Sequence, residues 1–427
     1  MQAAAAAACG LVEGESVVDA GRIAPADVAE ELGGLPPARF HAAELAADAL
    51  HRALSAAAAD ESLTLAGDDP NRVLVAVSGG VDSAVAALLE REAGRDVVAV
   101  TLKLWEDERN DGERSCCSPE AVRSARSLAH SMRLPHLTLD LRERFRAGVV
   151  NRFLEGHVAG ETPNPCVLCN GEVRIDAMID LAGRLGAAVL ATGHYARVVD
   201  DGEGPLLGAA DDSAKDQAYM LSGLAPDSLA RLRFPLAGLT KPEVRELASR
   251  AGLAAAGKAE SQDLCFLAGE GKRAFLERNA GLDERPGEIV DRAGHHLGVH
   301  TGHHNFTVGQ RRGLGVAAGE PLYVLSTDAE DNRVVAGRRE ELATRKVRLR
   351  SAVLHRDGDR VDAVRLRYRS RPVGCSLPGN GSTPRVGSHA ELEVELAEPV
   401  FGVAPGQTAT LMQGDVIVGR ATIAGAA

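Results

Sequence analysis

Two short stretches carry groups that could do covalent chemistry. The first is Ser78-Gly79-Gly80-Val81-Asp82-Ser83, which follows an apolar run at 72–77 and precedes Ala84-Val85-Ala86-Ala87-Leu88-Leu89-Glu90. The run before it reads as a buried strand and the run after it as a helix opened by Asp82 and Ser83. Adjacent glycines let the backbone turn without a Cβ clash, and a new helix offers unpaired N–H groups and a positive dipole end. An anion is therefore expected at this turn. No Gly-x-x-x-x-Gly-Lys-Ser/Thr pattern occurs, so the lysine of a Walker loop is missing. A glycine turn without a ligand is the bland alternative, and the strand-turn-helix context weighs against it.

The second stretch is Thr162-Pro163-Asn164-Pro165-Cys166-Val167-Leu168-Cys169-Asn170. Its prolines predict an extended path that delivers Cys169 to a helix starting near Glu172. A thiol just before a helix N-terminus is expected to have a depressed pKa, and thiolate is the nucleophilic form. Cys265, in Glu260-Ser261-Gln262-Asp263-Leu264-Cys265-Phe266, is distant along the chain but can join the same crevice if the fold returns there. The seven cysteines are odd in number and sparse, which argues against a secreted disulfide framework. Cys116 and Cys117 read as buried or loop-stabilising thiols and Cys375 as a sheet-packing residue.

These groups need a scaffold. Strands are expected at 96–101, 136–139 and 187–192, with helices at 119–132, 143–158 and 172–185 between them. Such alternation predicts an α/β domain with a doubly wound parallel sheet. Ligands of such sheets lie beyond the C-terminal strand ends, where Ser78, Leu102 and Gly193 fall. From about 273 the texture changes to Gly-rich turns, and from 341 to short segments of alternating polarity, as in a small antiparallel barrel. The expected units are 1–70, 71–272, 273–340 and 341–427.

At 427 residues several cores are possible, and 45% hydrophobic with 25% charged residues is ordinary for a water-soluble chain. No apolar run approaches a membrane span and the N-terminus lacks a secretion-signal layout, so no membrane partner and a cytoplasmic location are expected. The formal charge of −12 is uneven: residues 1–70 carry 12 acidic and 3 basic side chains, whereas 338–371 carry 12 Arg/Lys against 5 Asp/Glu. The basic segment, with Tyr368 interleaved, suits RNA phosphates; the bland alternative is a solvated strand face.

The hexapeptide in its setting resembles the pyrophosphate loop of the N-type ATP pyrophosphatases, synthetases that adenylate a carbonyl oxygen. The whole chain from about Arg72 onward resembles the MnmA family of bacterial tRNA-uridine 2-sulfurtransferases. Beside the two stretches above, the resemblance rests on Ala-Thr-Gly-His-Tyr at 191–195, Lys-Asp-Gln at 215–217 and Ser-Gln-Asp-Leu-Cys-Phe at 261–266. It continues through Gly-Gln-Arg-Arg-Gly-Leu-Gly at 309–315, Arg-Tyr-Arg at 367–369 and Pro-Gly-Gln at 405–407. It implies C2 thiolation of wobble uridine 34 in tRNAs for Lys, Glu and Gln, with ATP, accompanied by Mg2+, at residues 76–83 and near Leu102 and Gly193. Cys265 would carry a persulfide delivered by a cysteine desulfurase or sulfur-relay protein. Cys169 would attack it, leaving a Cys169–Cys265 disulfide. Asn164, Pro165 and Cys166 would surround the base, Lys215, Asp216, Gln217, Arg367 and Tyr368 would contact tRNA, and His194 and Gln407 would support the site.

Many members of that family have Asp where this chain has Cys166. Three thiolates could instead hold an iron–sulfur cluster with one open iron. A structural zinc would need a fourth ligand, and no histidine is suitably spaced. Residues 10–56, with Leu35-Pro36-Pro37 before His41, resemble part of a NifU/IscU-type scaffold with Ala42 at a ligand cysteine position; an Ala-rich helical extension is the plainer reading. An amidotransferase-type synthetase, or a non-catalytic tRNA-binding or sulfur-shuttling module, would explain some of these stretches but not all.

Overall fold

The computed structural model describes every residue except 108–117, 258–263, 268–269 and 379–381. Cys116, Cys117 and all of 260–263 lie outside the described residues. Strands β1 (Asp69–Ala76), β2 (Asp96–Lys103), β3 (His136–Asp140) and β4 (Ala187–Thr192) form a parallel sheet with the short strand Leu232–Arg233, in the order β3-β2-β1-β4 and then Leu232–Arg233. The near-continuous apolar runs follow from burial on both faces. Along β1, Leu74 enters one core while Val73 and Val75 enter the other, all three at most 3% exposed.

The expected helix at 143–158 is one continuous helical rod at 142–158, with a π-helical segment at Arg146–Val150 in its middle. The thiol stretch differs from expectation. Asn164 caps a helix that starts at Pro165, and the rod runs on through a π-helical segment, Cys169–Arg174, to Arg184. Proline at the first helical position starts a helix rather than forbidding one, because the amide it lacks would have been unpaired there. Cys169 therefore sits inside the rod, and the dipole argument made for it applies instead to Cys166.

A four-stranded sheet follows, ordered Tyr323–Asp328, Arg333–Gly337, Gly287–Val290, His296–His300. The C-terminal strands form a closed antiparallel barrel: Ala343–Leu354 pairs with Gly387–Phe401 on one side and with Val416–Ala426 on the other. Closure removes exposed strand edges. A hairpin that follows β4, Arg197–Asp200 with Pro205–Gly208, pairs with the barrel strand Val416–Ala426 and fastens the parallel-sheet unit to the barrel.

Residues 1–59 are helical and are not a detached tail. The helix His41–Ala59 lies along β3, the Gly21 carbonyl accepts a hydrogen bond from His136 N, and Val18, Leu54 and Leu65 belong to the same core as Leu74 and Leu137. The segment covers the open edge of the sheet.

Candidate functional site

The 78–83 turn is held by its own serines and by the neighbouring strand. Ser83 Oγ donates to Gly80 O (3.0 Å) and accepts from Ser78 N (3.1 Å). Thr101 Oγ1 on β2 donates to Val77 O (2.7 Å). Gly79 has φ of +77°, which only glycine adopts without strain. The helix Val81–Glu92 begins at once, so its amides face the strand ends. Gly193, after β4, has a steric reason to be glycine: a Cβ there would lie 2.7 Å from the backbone of Asp82 and Ser83.

Asp82 is gripped from two sides. Lys241 Nζ lies 2.7 and 2.8 Å from its carboxylate oxygens, and Tyr195 Oη donates to Oδ1 at 3.0 Å. Lys241 is buried at the first position of the helix Lys241–Arg250, which Thr240 and Glu243 cap reciprocally. Sequence reasoning passed over Lys241. The Thr-x-x-Glu cap pattern locates the helix start, but only the fold brings it 159 residues back to Asp82.

One cavity of about 320 Å³ joins this turn to the thiols. Its lining includes Ala76, Val77, Ser78, Asp82, Ser83, Leu102, Gly193 and His194 together with Pro165, Cys166, Cys169, Gln217 and Cys265. Gly79, Gly80 and Val81 shape the turn without lining the cavity. Cys169 is buried, and Cys166 and Cys265 are half-buried. Burial pushes the Cys166 thiol upward, opposed by the charge of Arg174, so the expected helix-end activation does not prevail there. His194 shares a hydrogen bond with Thr192 Oγ1 (2.8 Å), and burial followed by Arg174 lowers it to about 3, which keeps the imidazole neutral. Among the described residues no three His, Cys, Asp or Glu side chains are grouped to hold a metal ion. The three thiols share a cavity without being grouped, among the described residues, as a ready ligand set.

The residues assigned to the surroundings divide. The Asn164 carboxamide oxygen accepts from the amides of Cys166 and Val167, fixing the start of the thiol helix. Gln217 exchanges hydrogen bonds with the Tyr195 backbone. Gln407 Nε2 donates to Thr162 O, and Thr162 N donates to Pro405 O, so the barrel clamps the loop ahead of Cys166. Asp216 pairs with Arg365 of the barrel at 3.2 Å and accepts from two backbone amides, so its carboxylate is engaged internally. Arg367 donates to Val308 O and Gly402 O, bridging the central unit and the barrel. Tyr368 stacks near Tyr219, ring centroids 5.9 Å apart, with Arg369 over its face.

The basic segment is less basic than its composition. Seven of its twelve cations are ion-paired, among them Arg350 with Glu161 and the buried Arg356 with Asp201. Net charge along the chain missed acidic partners from elsewhere. Arg311 and Arg312, in contrast, are exposed.

A glycine turn and three thiols in one cavity at the strand ends of a parallel sheet, followed by a middle unit and a closed barrel, are the parts that place the chain in a class of tRNA-modifying enzymes. Residues 71–269 match the tRNA methyl transferase HUP domain, 273–338 the PRC-barrel domain of the same group, 354–423 the aminomethyltransferase beta-barrel domain, and 1–61 the NifU-like N terminal domain. The chain is 46% identical to the bifunctional protein NifU/MnmA of Rubrobacter xylanophilus, over 99% of this chain and 86% of that one. It is 41% identical to the tRNA-specific 2-thiouridylase MnmA of Geobacter metallireducens, over 82% of this chain and 95% of that one. The corresponding protein of Methylorubrum extorquens is 44% identical over 81% and 90%. The chain belongs to the MnmA family of tRNA-specific 2-thiouridylases, ATP-dependent sulfurtransferases, and carries a NifU-like N-terminal domain.

Proposed function

We propose that the crevice adenylates O2 of wobble uridine 34 in tRNAs for Lys, Glu and Gln and then replaces that oxygen with sulfur. The observation that carries this reading is the single cavity lined by Ser78, Asp82 and Ser83 and by Cys166, Cys169 and Cys265. O2 attacks the α-phosphorus of ATP, which arrives with Mg2+, and pyrophosphate departs over the amides at the start of the helix Val81–Glu92. Leu102 and Gly193 border the adenosine.

Cys265 carries the sulfane sulfur of a persulfide supplied by a cysteine desulfurase or sulfur-relay protein. The Cys169 thiolate attacks the Cys265 Sγ, a Cys169–Cys265 disulfide forms, and hydrosulfide is released. Hydrosulfide adds to C2, and AMP leaves with the former O2. Two electrons from an external thiol reductant restore both cysteines. The base must leave its stack to reach this depth, and Asn164, Pro165 and Cys166 form the wall that receives it.

Lys215, Gln217 and Tyr368 meet tRNA beside the cavity. Asp216 and Arg367 act through Arg365 and Gly402, the groups they already bind. The exposed Arg311 and Arg312 add phosphate contacts from the central unit, 273–340, and 341–427 completes the RNA surface. The reaction takes place in the cytoplasm, where tRNA and reductant are available. The test is mass analysis of tRNA from cells lacking the gene, with rescue by wild type and by Cys265→Ala. Loss of 2-thiouridine restored only by wild type is expected. Persistence in the deletion strain would overturn the function, and rescue by Cys265→Ala would overturn the persulfide step.

A further inference from the structure

The thiol-bearing rod brings into the cavity a cation that the scheme above leaves without a task. Arg174 closes the π-helical segment Cys169–Arg174 and lines the same cavity as Ser78, Ser83 and the three cysteines. Its Nη1 donates to Asn170 Oδ1 at 3.3 Å, which turns the guanidinium along the rod. Among the described lining residues it alone carries a permanent positive charge: His194 is kept neutral by burial, and Lys241 stands outside the lining on Asp82. It shares that lining with Cys166 on the thiol side and with His194 after β4, and its charge acts on both.

A nucleotide brings several negative charges into this space, and the glycine turn has no Walker lysine to meet them. Once pyrophosphate leaves, one phosphoryl group remains, bonded to the base oxygen and therefore drawn toward the sulfurs. That is the side from which Arg174 enters. A guanidinium presents a planar fork of donors that matches two phosphoryl oxygens. We propose that Arg174 is the residue that binds the α-phosphate in this cavity, holding the phosphoryl oxygens of the adenylated base and then of AMP as it leaves. This assignment rests on the adenylation reading and gives charge stabilisation to the step in which sulfur displaces AMP.

The test is calorimetric titration of the full-length protein with AMP, and with adenosine as the uncharged control, for wild type, Arg174→Lys and Arg174→Gln. Wild type is expected to bind AMP more tightly than adenosine. Arg174→Gln should lose about tenfold or more in AMP affinity with adenosine unchanged, and Arg174→Lys, which keeps the charge but not the fork, should lose less than Arg174→Gln. Equal losses for AMP and adenosine would mark a structural role and overturn the proposal. So would unchanged AMP binding, or a wild type that does not discriminate between the two. The titration needs neither tRNA nor sulfur, so a protein that fails to thiolate tRNA would remove the functional reading and leave this result standing.

Discussion

The NifU-like helices at 1–61 and the crevice beyond β1 both carry the mark of sulfur chemistry, and they have kept opposite halves of it. The crevice retains Cys166, Cys169 and Cys265 around a nucleotide turn. The N-terminal segment carries Ala42 where the scaffold likeness calls for a ligand cysteine, yet it packs its own small core of Ala4, Val28 and Ala43 and contributes Val18, Leu54 and Ala58 to the core it shares with Leu74 and Leu137. A segment without that cysteine can persist because it covers the edge of a sheet. The sequence requirements of packing are also looser than those of chemistry, since any small apolar side chain can stand at Ala42 but the proposed sulfur transfer needs a thiol at Cys169.

The largest expected effect tests that division directly. Deleting residues 1–65 uncovers β3 and removes buried Val18, Leu54 and Leu65, each worth about 1.5–3 kcal/mol of burial. The sum is comparable to the whole stability of an ordinary domain. The truncated protein should be insoluble or should melt more than about 10 °C lower. An unchanged melting temperature would show that the two regions are separable.

A smaller effect follows from the histidines between them. His51 Nε2 lies 3.0 Å from Ile23 O, and its ring stands 5.4 Å from His130 and 6.4 Å from His136. Burial, then the charge of Arg126, lowers His51 to about 4; burial also lowers His130 and His136. Asp48, ion-paired with Arg126, and Asp27 are the nearby acids that partly oppose this. A folded pKa below the unfolded value means that the unfolded chain binds more protons, so this stability is complete above about pH 6.5 and is lost as pH falls toward 4. For His51 alone the loss is on the order of 3 kcal/mol. Thermal melts should be flat above pH 7 and fall below it, with a shallower fall in His51→Gln. An equally steep fall in that variant would place the proton uptake elsewhere.

In the crevice, Lys241→Met removes the ion pair of the Asp82 carboxylate and leaves it, among the described residues, the Tyr195 hydroxyl. tRNA-dependent pyrophosphate release should drop roughly tenfold, the scale of one charge-assisted contact, with tRNA affinity unchanged. An unaltered rate would mean that the ion pair serves only the fold.

How much of this was legible depended on whether the cause was local. The parallel sheet, the glycine turn and the barrel follow from strand periodicity and turn chemistry, which neighbouring residues set. That Cys265 shares a cavity with Cys169 rested on family likeness rather than on any local signal. The thiol helix was misplaced because Pro165 was read as a breaker, when Asn164 before it makes it a start. Lys241 was missed, and so were Arg174 and the acidic partners of the basic segment, because each takes its meaning from a partner brought close by the fold. Arg356 looked like an RNA contact until Asp201 lay beside it.

The smallest expected effect is none. Ala42→Cys restores the side chain that the scaffold likeness calls for, and if the N-terminal segment were a dormant scaffold, iron binding should return with it. The surroundings argue otherwise. Ala42 is half-buried against the core built on Val28 and Ala43, Cys9 is exposed on the separate helix Gln2–Val12, and no metal-holding group of three His, Cys, Asp or Glu occurs among the described residues. Iron–sulfur clusters need three or four ligands placed together, and one new thiol does not supply them. Anaerobic reconstitution of Ala42→Cys should give the iron content of wild type and the same thiolation rate. Stoichiometric iron gained by this one change would mean that the segment had kept a metal site along with its packing, and the contrast between the two regions would fail.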